Sequence, residues 1–433
     1  MEEILECTVQ TPQWGQGRQL DEMGFCREFL LLYPLVRVDG QFFGPDGRLP
    51  EEKVRQMVYN YLSGFVAGNL SRKIGGLMEV LKMECWKESL PLYEGRIYCS
   101  NGTFHVLSGT LDPRKEVCRY RLPVAYDPQA PEPKLWKQFL EELLDGEDIL
   151  TLQEYMGYCL VPVNYAQKML LIIGKGGEGK SRIGIILNAL LGDGMCNGSI
   201  AKLETSPFAR ADLQHRLVMV DDDLRLEALN STNYIKSLVT AEQPMDLERK
   251  GVQSYQGEMH CRILGFGNGH LRSLHDRSYG FFRRQLILTT RDKPRDRVDD
   301  PYLAQRMKDE LGGILLWCME GLERLLTNGM RFTISKKTRH NMNCAILESN
   351  NVLDFMNSRG YFTMDPQAQA SSRSLYSCYR DWCEDNMHTA LPPKSFSVSL
   401  IQNASAYGLT YCNTIPGGNG RYVRGFKGIR ILR

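Results

Sequence analysis

Apolar residues in the middle of the chain form short continuous runs, and helical patterns separate one run from the next. The runs cover residues 169–173, 217–220, 263–266 and 286–288. Runs of this length without polar interruption are typical of strands that are buried on both faces. Their alternation with helices predicts an α/β domain with a mostly parallel sheet, which a helical stretch over residues 302–326 closes.

The segment before this domain has the pattern of helices. Apolar residues recur at helical spacing and form one face, at Trp136, Phe139, Leu140, Leu143 and Leu144. A second helix is predicted over residues 152–160. A proline-rich stretch at residues 127–133 separates these helices from a mixed amino-terminal region, where alternation over residues 96–106 predicts a β-hairpin that turns at Asn101-Gly102.

The last region of the chain begins with helical patterns and ends in a basic hairpin. Strand patterns at residues 409–411 and 422–426 flank a glycine-rich turn, and a short helix from about Ser395 precedes them. From residue 386 to the last residue there is no Asp or Glu. Helices followed by a glycine-tipped basic hairpin predict a winged helix-turn-helix, whose basic residues are candidates for contacts with DNA phosphates. They are Lys394, Arg421, Arg424 and Lys427.

Composition places the chain among ordinary globular proteins. It has 433 residues, of which 42% are hydrophobic and 24% charged, and its formal net charge is +2. A charge this small argues neither for nor against nucleic acid. The 13 cysteines contain no C-x-x-C pair, which is typical of free thiols in a reducing compartment. Because no signal peptide or membrane-spanning apolar run is visible, the expected location is cytoplasmic, without a membrane partner.

Residues 174–181 read GKGGEGKS and match the phosphate-binding pattern G-x-x-x-x-G-K-[ST]. An apolar strand precedes the match and a helical pattern follows it, as a P-loop requires. Glycines allow backbone N–H groups to turn toward phosphate oxygens. The glycines of this motif are Gly174, Gly176, Gly177 and Gly179. Lys180 is predicted to reach the β- and γ-phosphates, and the Ser181 hydroxyl to ligate Mg²⁺. The motif therefore predicts ATP and Mg²⁺ as ligands.

A P-loop site needs an acidic residue at the end of a neighbouring strand, and the run 217–220 leads into consecutive aspartates. Asp221 is predicted to hold Mg²⁺, and Asp222 is the candidate that orients or activates the attacking water. Asp223 leaves this assignment open by one position. The run 263–266 leads to Asn268, whose amide can sense the γ-phosphate or position the water, although Asn at a strand end is commonly only a turn residue.

Two basic residues, Arg283 and Arg284, shortly precede the strand pattern at residues 286–288. A guanidinium that points at a transferring phosphoryl group stabilises its charge. If a neighbouring subunit supplies this group, assembly is coupled to hydrolysis. The alternative interpretation is an ordinary pair of surface arginines.

Over residues 95–430 the sequence resembles the superfamily 3 helicases, and most closely their phage and plasmid primase-helicase branch of poxvirus type. The P-loop and Asn268 take part in this resemblance, whereas the three consecutive aspartates stand where the branch commonly has a Glu. Further matching segments are 101–102, 126–128, 152–153, 157–158, 235–250 and 310–322. The chain departs from the branch at Glu178, where Asn is usual in the P-loop, and at Gly312, where Pro is usual.

The resemblance implies an AAA+-like ATPase core over residues 169–335, after a helical collar over residues 131–168 that serves oligomerisation. It implies a winged-helix DNA-binding domain at residues 345–433, and it leaves the mixed α/β domain at residues 1–130 without a role. In this family, subunits form a hexameric ring that hydrolyses ATP at its interfaces and translocates on single-stranded DNA. The activity serves the replication of a phage, plasmid or other mobile element.

The resemblance also implies roles for individual residues. Lys250, with Arg249 as second choice, would lie in a loop that contacts DNA in the central pore. Asn268 corresponds to the asparagine of the family's motif C. The arginine-finger segment of the family corresponds to Asp276, Arg283 and Arg284.

The leading hypothesis is therefore an ATP-dependent DNA helicase. The second is an ATP-gated origin-binding or loading protein, whose winged helix binds duplex DNA without unwinding it. A small-molecule kinase would share only the P-loop, and the basic end without acidic residues argues against it. The first 120 residues contain no paired carboxylates or zinc ribbon typical of a primase.

Overall fold

The computed structural model describes residues 12–15, 20–224, 229–271, 279–294, 296, 298–349, 351–417 and 421–432. The chain divides into two compact units. The larger contains residues up to 226, 232–269 and 284–338, and the smaller contains residues 227–231, 270–283 and 339–433. In the described part of the chain, no helix combines the length and the apolar character needed to cross a membrane.

The amino-terminal part of the larger unit contains helices and small antiparallel sheets. The helices are α1 (Glu22–Leu32), α2 (Glu51–Ser63) and α3 (Leu70–Glu84). One sheet contains β1 (Val36–Val38), β2 (Gln41–Gly44) and β3 (Gly47–Leu49), and another contains β4 (Arg96–Cys99), β5 (Gly102–His105) and β6 (Thr110–Asp112). The predicted hairpin at Asn101-Gly102 is formed by β4 and β5, which are antiparallel and pair Cys99 with Gly102.

A parallel sheet forms the core of the larger unit. In chain order, the elements from α4 to α12 are α4 (Lys134–Leu143), α5 (Gly146–Tyr158), β7 (Met169–Ile173), α6 (Ser181–Leu191), β8 (Met195–Asn197), α7 (Ile200–Thr205), α8 (Pro207–Ala211), β9 (Val218–Leu224), α9 (Asn233–Thr240), β10 (Met245–Arg249), β11 (Val252–Gly257), β12 (Arg262–Gly267), α10 (Tyr279–Phe282), β13 (Gln285–Thr289), α11 (Leu303–Lys308) and α12 (Leu311–Thr327). The described strands of the sheet lie in the order β13-β7-β12-β9-β8, and each neighbouring pair is parallel. The predicted α/β architecture with a parallel sheet is confirmed.

The helical stretch predicted over residues 302–326 is interrupted between α11 and α12. At the interruption, the carboxylate of Glu310 accepts hydrogen bonds of 3.0 Å from the backbone N–H groups of Leu135 and Trp136, in the first turn of α4. The first N–H groups of a helix have no partner within their own helix. The interruption therefore lets Glu310 cap a helix that is remote in sequence, which local periodicity does not reveal.

Helices α5 and α12 approach each other closely because both carry a glycine at the contact. A Cβ atom at Gly157 would lie 2.2 Å from a backbone oxygen of α12, and one at Gly321 would lie 2.3 Å from a backbone oxygen of α5. Beside this contact, the buried carboxylate of Glu154 accepts a hydrogen bond of 2.7 Å from Arg324. The glycines and this ion pair therefore hold α5 and α12 packed closely against each other.

The smaller unit packs helices against an antiparallel sheet. Its elements include most of α13 (Lys336–Ser349), and then α14 (Asn351–Asn357), β14 (Phe362–Ser371), α15 (Ser372–Asp385), α16 (Pro393–Asn403), β15 (Thr410–Pro416) and β16 (Tyr422–Ile431). The described strands lie in the order β14-β16-β15. Sequence patterns predict β15 and β16 but not β14, because only Phe362 and Ala370 of β14 are buried.

A buried arginine joins α5 to the sheet. Arg262 begins β12, and only 2% of its surface is exposed. Its guanidinium donates hydrogen bonds to the backbone oxygens of Tyr158, Val161 and His260, and it lies over the Tyr158 ring at 5.0 Å. A buried cation is tolerated here because carbonyl oxygens accept its hydrogen bonds.

We expect Arg262→Leu to lower the free energy of unfolding of the larger unit by at least about 2 kcal/mol, since it leaves several buried carbonyl oxygens without a donor. The measurement is the urea midpoint, with the exposed Arg55 replaced in the same way as a control. Equal midpoints for the two variants would contradict this role of Arg262.

Candidate functional site

The turn that follows β7 is built from glycines with positive φ. The angles are 107° at Gly176, 81° at Gly177 and 104° at Gly179, a region that other residues rarely adopt. Helix α6 begins at Ser181, directly after this turn. The turn therefore places backbone N–H groups and the amino end of a helix around one small space, which is the arrangement that binds phosphate oxygens.

Lys180 lies at the bottom of this turn with only 8% of its surface exposed. Its Nζ is 2.8 Å from Oε2 of Glu178 and 3.5 Å from Oδ1 of Asn268. Strands β7 and β12 are parallel and pair Ile173 with Gly267, so the residues that follow them leave the sheet at the same edge. The structure thus brings Lys180 and Asn268 together, as the strand pattern predicts.

Glu178 places its carboxylate inside the turn. Oε1 accepts a hydrogen bond of 2.8 Å from the backbone N–H of Gly176, while Oε2 accepts one from Lys180. Burial raises the pKa of the Glu178 carboxyl, but the hydrogen bonds from Lys180 and from backbone N–H groups outweigh burial, and the pKa lies below its ordinary value. The turn therefore holds an anionic oxygen with the donors that a P-loop offers to a phosphate, so its residues fit that ligand.

Thr290 is a residue of this site that sequence reasoning misses. It follows β13, and its N–H donates to the backbone oxygen of Ile173 at 2.9 Å. A Cβ atom at Gly174 would lie 2.3 Å from Oγ1 of Thr290, so the hydroxyl lies against the start of the turn. The parallel pairing of β13 with β7 is the signal that could have found it.

The consecutive aspartates lie on β9, next to β12. Asp221 is buried, and its Oδ2 accepts a hydrogen bond of 2.7 Å from the backbone N–H of Ile200, at the start of α7. Asp222 and Asp223 are exposed. The pairing of β9 with β12 is irregular at this point, because Gly265 lies opposite Asp221 and Gly267 lies opposite Leu224, so Asp222 and Asp223 stand outside the regular register. The predicted roles of these carboxylates in metal binding and water activation stay predictions.

Arg284 lies at the opposite edge of the sheet from the P-loop of its own chain. Its backbone oxygen accepts a hydrogen bond of 2.8 Å from the N–H of Met169, the first residue of β7. The P-loop begins at the other end of β7, and a strand of this length spans roughly 16 Å. Arg283 is exposed, and Asp276 lies outside the described residues. A finger role for Arg284 would therefore act on the P-loop of another subunit.

The two candidate DNA contacts on the hairpin of β10 and β11, Arg249 and Lys250, have different surroundings. Lys250 is exposed at its tip, next to Gly251 with φ of 75°. Arg249 instead donates hydrogen bonds of 2.7 Å to the backbone oxygen of Asp39 and to Oε1 of Gln214. Arg249 therefore attaches the hairpin to the turn between β1 and β2, whereas Lys250 is presented to solvent.

Gln214 is the centre of this attachment. It is buried, its Oε1 also accepts a hydrogen bond of 2.6 Å from the Tyr255 hydroxyl, and its Nε2 donates to Asp39 at 3.3 Å. Burial, followed by the charge of Arg119 and of further arginines, lowers the pKa of the adjacent His215 to about 3. The imidazole is therefore neutral near pH 7.

The predicted basic residues of the smaller unit lie on its surface. Lys394 is exposed near the start of α16, and Arg424 and Lys427 are exposed on β16. Arg421, also exposed, directly precedes β16. These residues therefore remain available for phosphate contacts.

Family models match three separate parts of the chain. The model described as D5 N terminal like matches residues 65–145, and the model described as poxvirus D5 protein-like matches residues 347–415. The resemblance to D5-like proteins of superfamily 3 is confirmed. A family of unknown function, DUF5906, matches residues 172–284, which include the glycine turn. The comparison with curated proteins gives no match.

Solved structures share the fold of this chain. An A form apo structure of the NrS-1 C-terminal region is 10% identical, has a TM-score of 0.55, and covers 93% of this chain and 99% of that chain. A second A form apo structure, of residues 305–718, has a TM-score of 0.56 at 10% identity, with 94% and 99% covered. A further apo structure of this region has a TM-score of 0.55 at 10% identity, with 95% and 100% covered.

We expect Gln214→Leu to loosen the hairpin, because it removes an acceptor shared by Arg249 and Tyr255. Amide hydrogen exchange in β10 and β11 should accelerate by roughly tenfold, the effect of losing one or two hydrogen bonds. Gln256→Leu, at an exposed position of β11, is the control. Unchanged protection in the Gln214 variant would show that the attachment contributes nothing.

Proposed function

We propose that this chain is an ATP-dependent DNA helicase that translocates on single-stranded DNA as a hexameric ring, for the replication of a phage, plasmid or other mobile element. The observation that carries the proposal is the buried Lys180 beside Asn268, with Nζ and Oδ1 3.5 Å apart at one edge of the sheet. A P-loop lysine next to a polar residue from the neighbouring strand is the arrangement that P-loop ATPases use. The D5-like family matches support a role in replication.

The nucleotide site would use residues from both strands. Lys180 and the N–H groups of the glycine turn would hold the phosphates. Ser181 and Asp221 would hold Mg²⁺, which supplies positive charge at the phosphates. The exposed Asp222 would orient the attacking water, with Asp223 as the alternative one position further along the chain.

The proposed AAA+-like core would complete its site between subunits. Arg284 directly precedes β13, at the edge of the sheet opposite the P-loop of its own chain. This position supports a finger role toward a neighbouring subunit. Residues 131–168, which include the amphipathic helix α4, would act as the collar that assembles the ring.

The proposed DNA contacts lie on the hairpin of β10 and β11 and on the smaller unit. The exposed Lys250 would follow the backbone of single-stranded DNA electrostatically, without reading its sequence. In the smaller unit, the order α14-β14-α15-α16-β15-β16 supports a winged helix as the proposed DNA-binding domain. Lys394, Arg424 and Lys427 would contact phosphates there.

The second candidate function is an ATP-gated origin-binding or loading protein that binds duplex DNA without unwinding it. The exposed basic residues of the smaller unit favour it, because a winged helix commonly binds duplex DNA. Footprints on duplex DNA, combined with no unwinding of forked substrates, would select this function.

Electron microscopy of the full chain with single-stranded DNA and a slowly hydrolysed ATP analogue tests the proposal. A ring with DNA through its centre is the expected result, and a monomer under these conditions would contradict it.

In parallel, Lys180→Ala should abolish both ATP hydrolysis and unwinding, since it removes the cation that holds the phosphates.

We expect Lys250→Ala to retain appreciable ATP hydrolysis and to lose unwinding, because its side chain contacts DNA and not nucleotide. The measurements are ATPase rate and strand separation on a forked substrate. Lys250→Arg should restore unwinding, and Lys53→Ala, at an exposed position of α2, should leave it unchanged. Full strand separation by Lys250→Ala would exclude the hairpin assignment.

We expect Arg284→Ala and Lys180→Ala to complement each other when mixed. Each variant alone should lack ATP hydrolysis, but in a mixed ring some interfaces combine an intact Lys180 with an intact Arg284 from the neighbour. Arg283→Ala, tested in the same mixture, decides which arginine is the finger. Absence of recovered hydrolysis in rings shown to exchange subunits would exclude an arginine supplied in trans.

A further inference from the structure

Glu178 uses both oxygens of its carboxylate inside the P-loop. One oxygen is 2.8 Å from Nζ of Lys180, and the other is 2.8 Å from the backbone nitrogen of Gly176. Only 3% of the Glu178 surface is exposed. The carboxylate therefore lies within the glycine turn and not on its outer surface.

These donors are the ones that a nucleotide phosphate would need. The backbone N–H of Gly176 is a single donor, and it cannot point at a carboxylate and at a phosphate oxygen together. Lys180 has three donors, but a carboxylate that remained beside a phosphate would bring two anions into contact. Like charges at such a distance repel each other strongly in a site sheltered from water.

We propose that Glu178 is an internal competitor for the phosphate site: its carboxylate takes the place of a nucleotide phosphate, and nucleotide binding must displace it. This inference rests on the proposed function in one respect, namely that the loop binds a nucleoside triphosphate. It assigns to Glu178 a control of nucleotide affinity that the P-loop pattern itself does not contain.

The loop provides space for the displacement. Glu178 stands between Gly177 and Gly179, and a Cβ atom at Gly177 would meet no atom within 4 Å. A change of backbone angles at these glycines carries little steric cost. The backbone on either side of Glu178 can therefore change its angles, as release of the carboxylate would require.

The test measures the affinity of the full chain for ADP and for ATPγS with Mg²⁺ by calorimetry. Glu178→Gln removes the negative charge while keeping the shape of the side chain. Because hydrogen bonds to an ionised group are about twice as strong as neutral ones, we expect both nucleotides to bind at least about tenfold more tightly. Glu178→Asn should act in the same direction and serves if the Gln variant does not fold. Glu147→Gln, at an exposed position of α5, is the control and should bind like the unchanged chain.

A second readout separates competition from a purely structural role. Without nucleotide, Glu178→Gln should melt at a lower temperature than the unchanged chain, since Lys180 loses its anionic partner. With saturating ADP the difference should disappear, because the phosphates then supply the negative charge in both proteins. A structural role would lower the melting temperature equally in both conditions.

The outcomes distinguish this inference from the proposed function. If the unchanged chain binds nucleotide and Lys180→Ala does not, the P-loop assignment stands. Equal or weaker binding by folded Glu178→Gln or Glu178→Asn would then overturn the competitor role alone. If neither the unchanged chain nor the folded Glu178 variants bind nucleotide, the proposed ATPase fails, and the competitor role fails with it.

Discussion

The parallel pairing of β7 with β12 is the constraint on which the candidate site depends. Because Ile173 lies opposite Gly267, the glycine turn and Asn268 must leave the sheet at the same edge. The pairing of β13 with β7 brings Thr290 to that edge by the same rule. All residues of β7 and β12 are buried, so the positions of these strands are fixed by packing on both faces and not by a ligand. The packing of the sheet alone therefore sets the positions of the glycine turn and Asn268.

The sequence predicts the parts of this arrangement that repeat a local pattern. Continuous apolar runs identify the buried strands, and the glycines of residues 174–181 identify the turn, because only glycine adopts its angles easily. Strand β14 lacks such a pattern, since most of its residues face solvent. The interruption before α12 also lacks one, because Glu310 serves α4, which lies about 175 residues earlier in the chain. Features that depend on distant partners are therefore the ones that sequence reasoning misses.

The hairpin of β10 and β11 shows the same limit at the level of single residues. Arg249 and Lys250 are neighbours with similar charge, and only the family resemblance ranks Lys250 before Arg249. The structure separates them by their partners, because Arg249 is held by Gln214 and by Asp39, which is 210 residues away in sequence. The amino-terminal part of the chain, to which the sequence gives no role, thus contacts the hairpin next to its tip. The hairpin and the turn between β1 and β2 are consequently joined through Arg249 and Gln214.

The P-loop itself combines two demands that oppose each other. A buried ammonium group such as Lys180 needs an anionic partner, since desolvation of an unpaired charge is costly. Glu178 satisfies that need, and in doing so it accepts hydrogen bonds from the donors that the proposed nucleotide would require. If the loop binds a nucleotide as proposed, a neutral residue in place of Glu178 would remove the anionic partner of Lys180 and also remove the competitor of the phosphates. The departure from the usual asparagine would then lower nucleotide affinity without removing a group that phosphate binding needs.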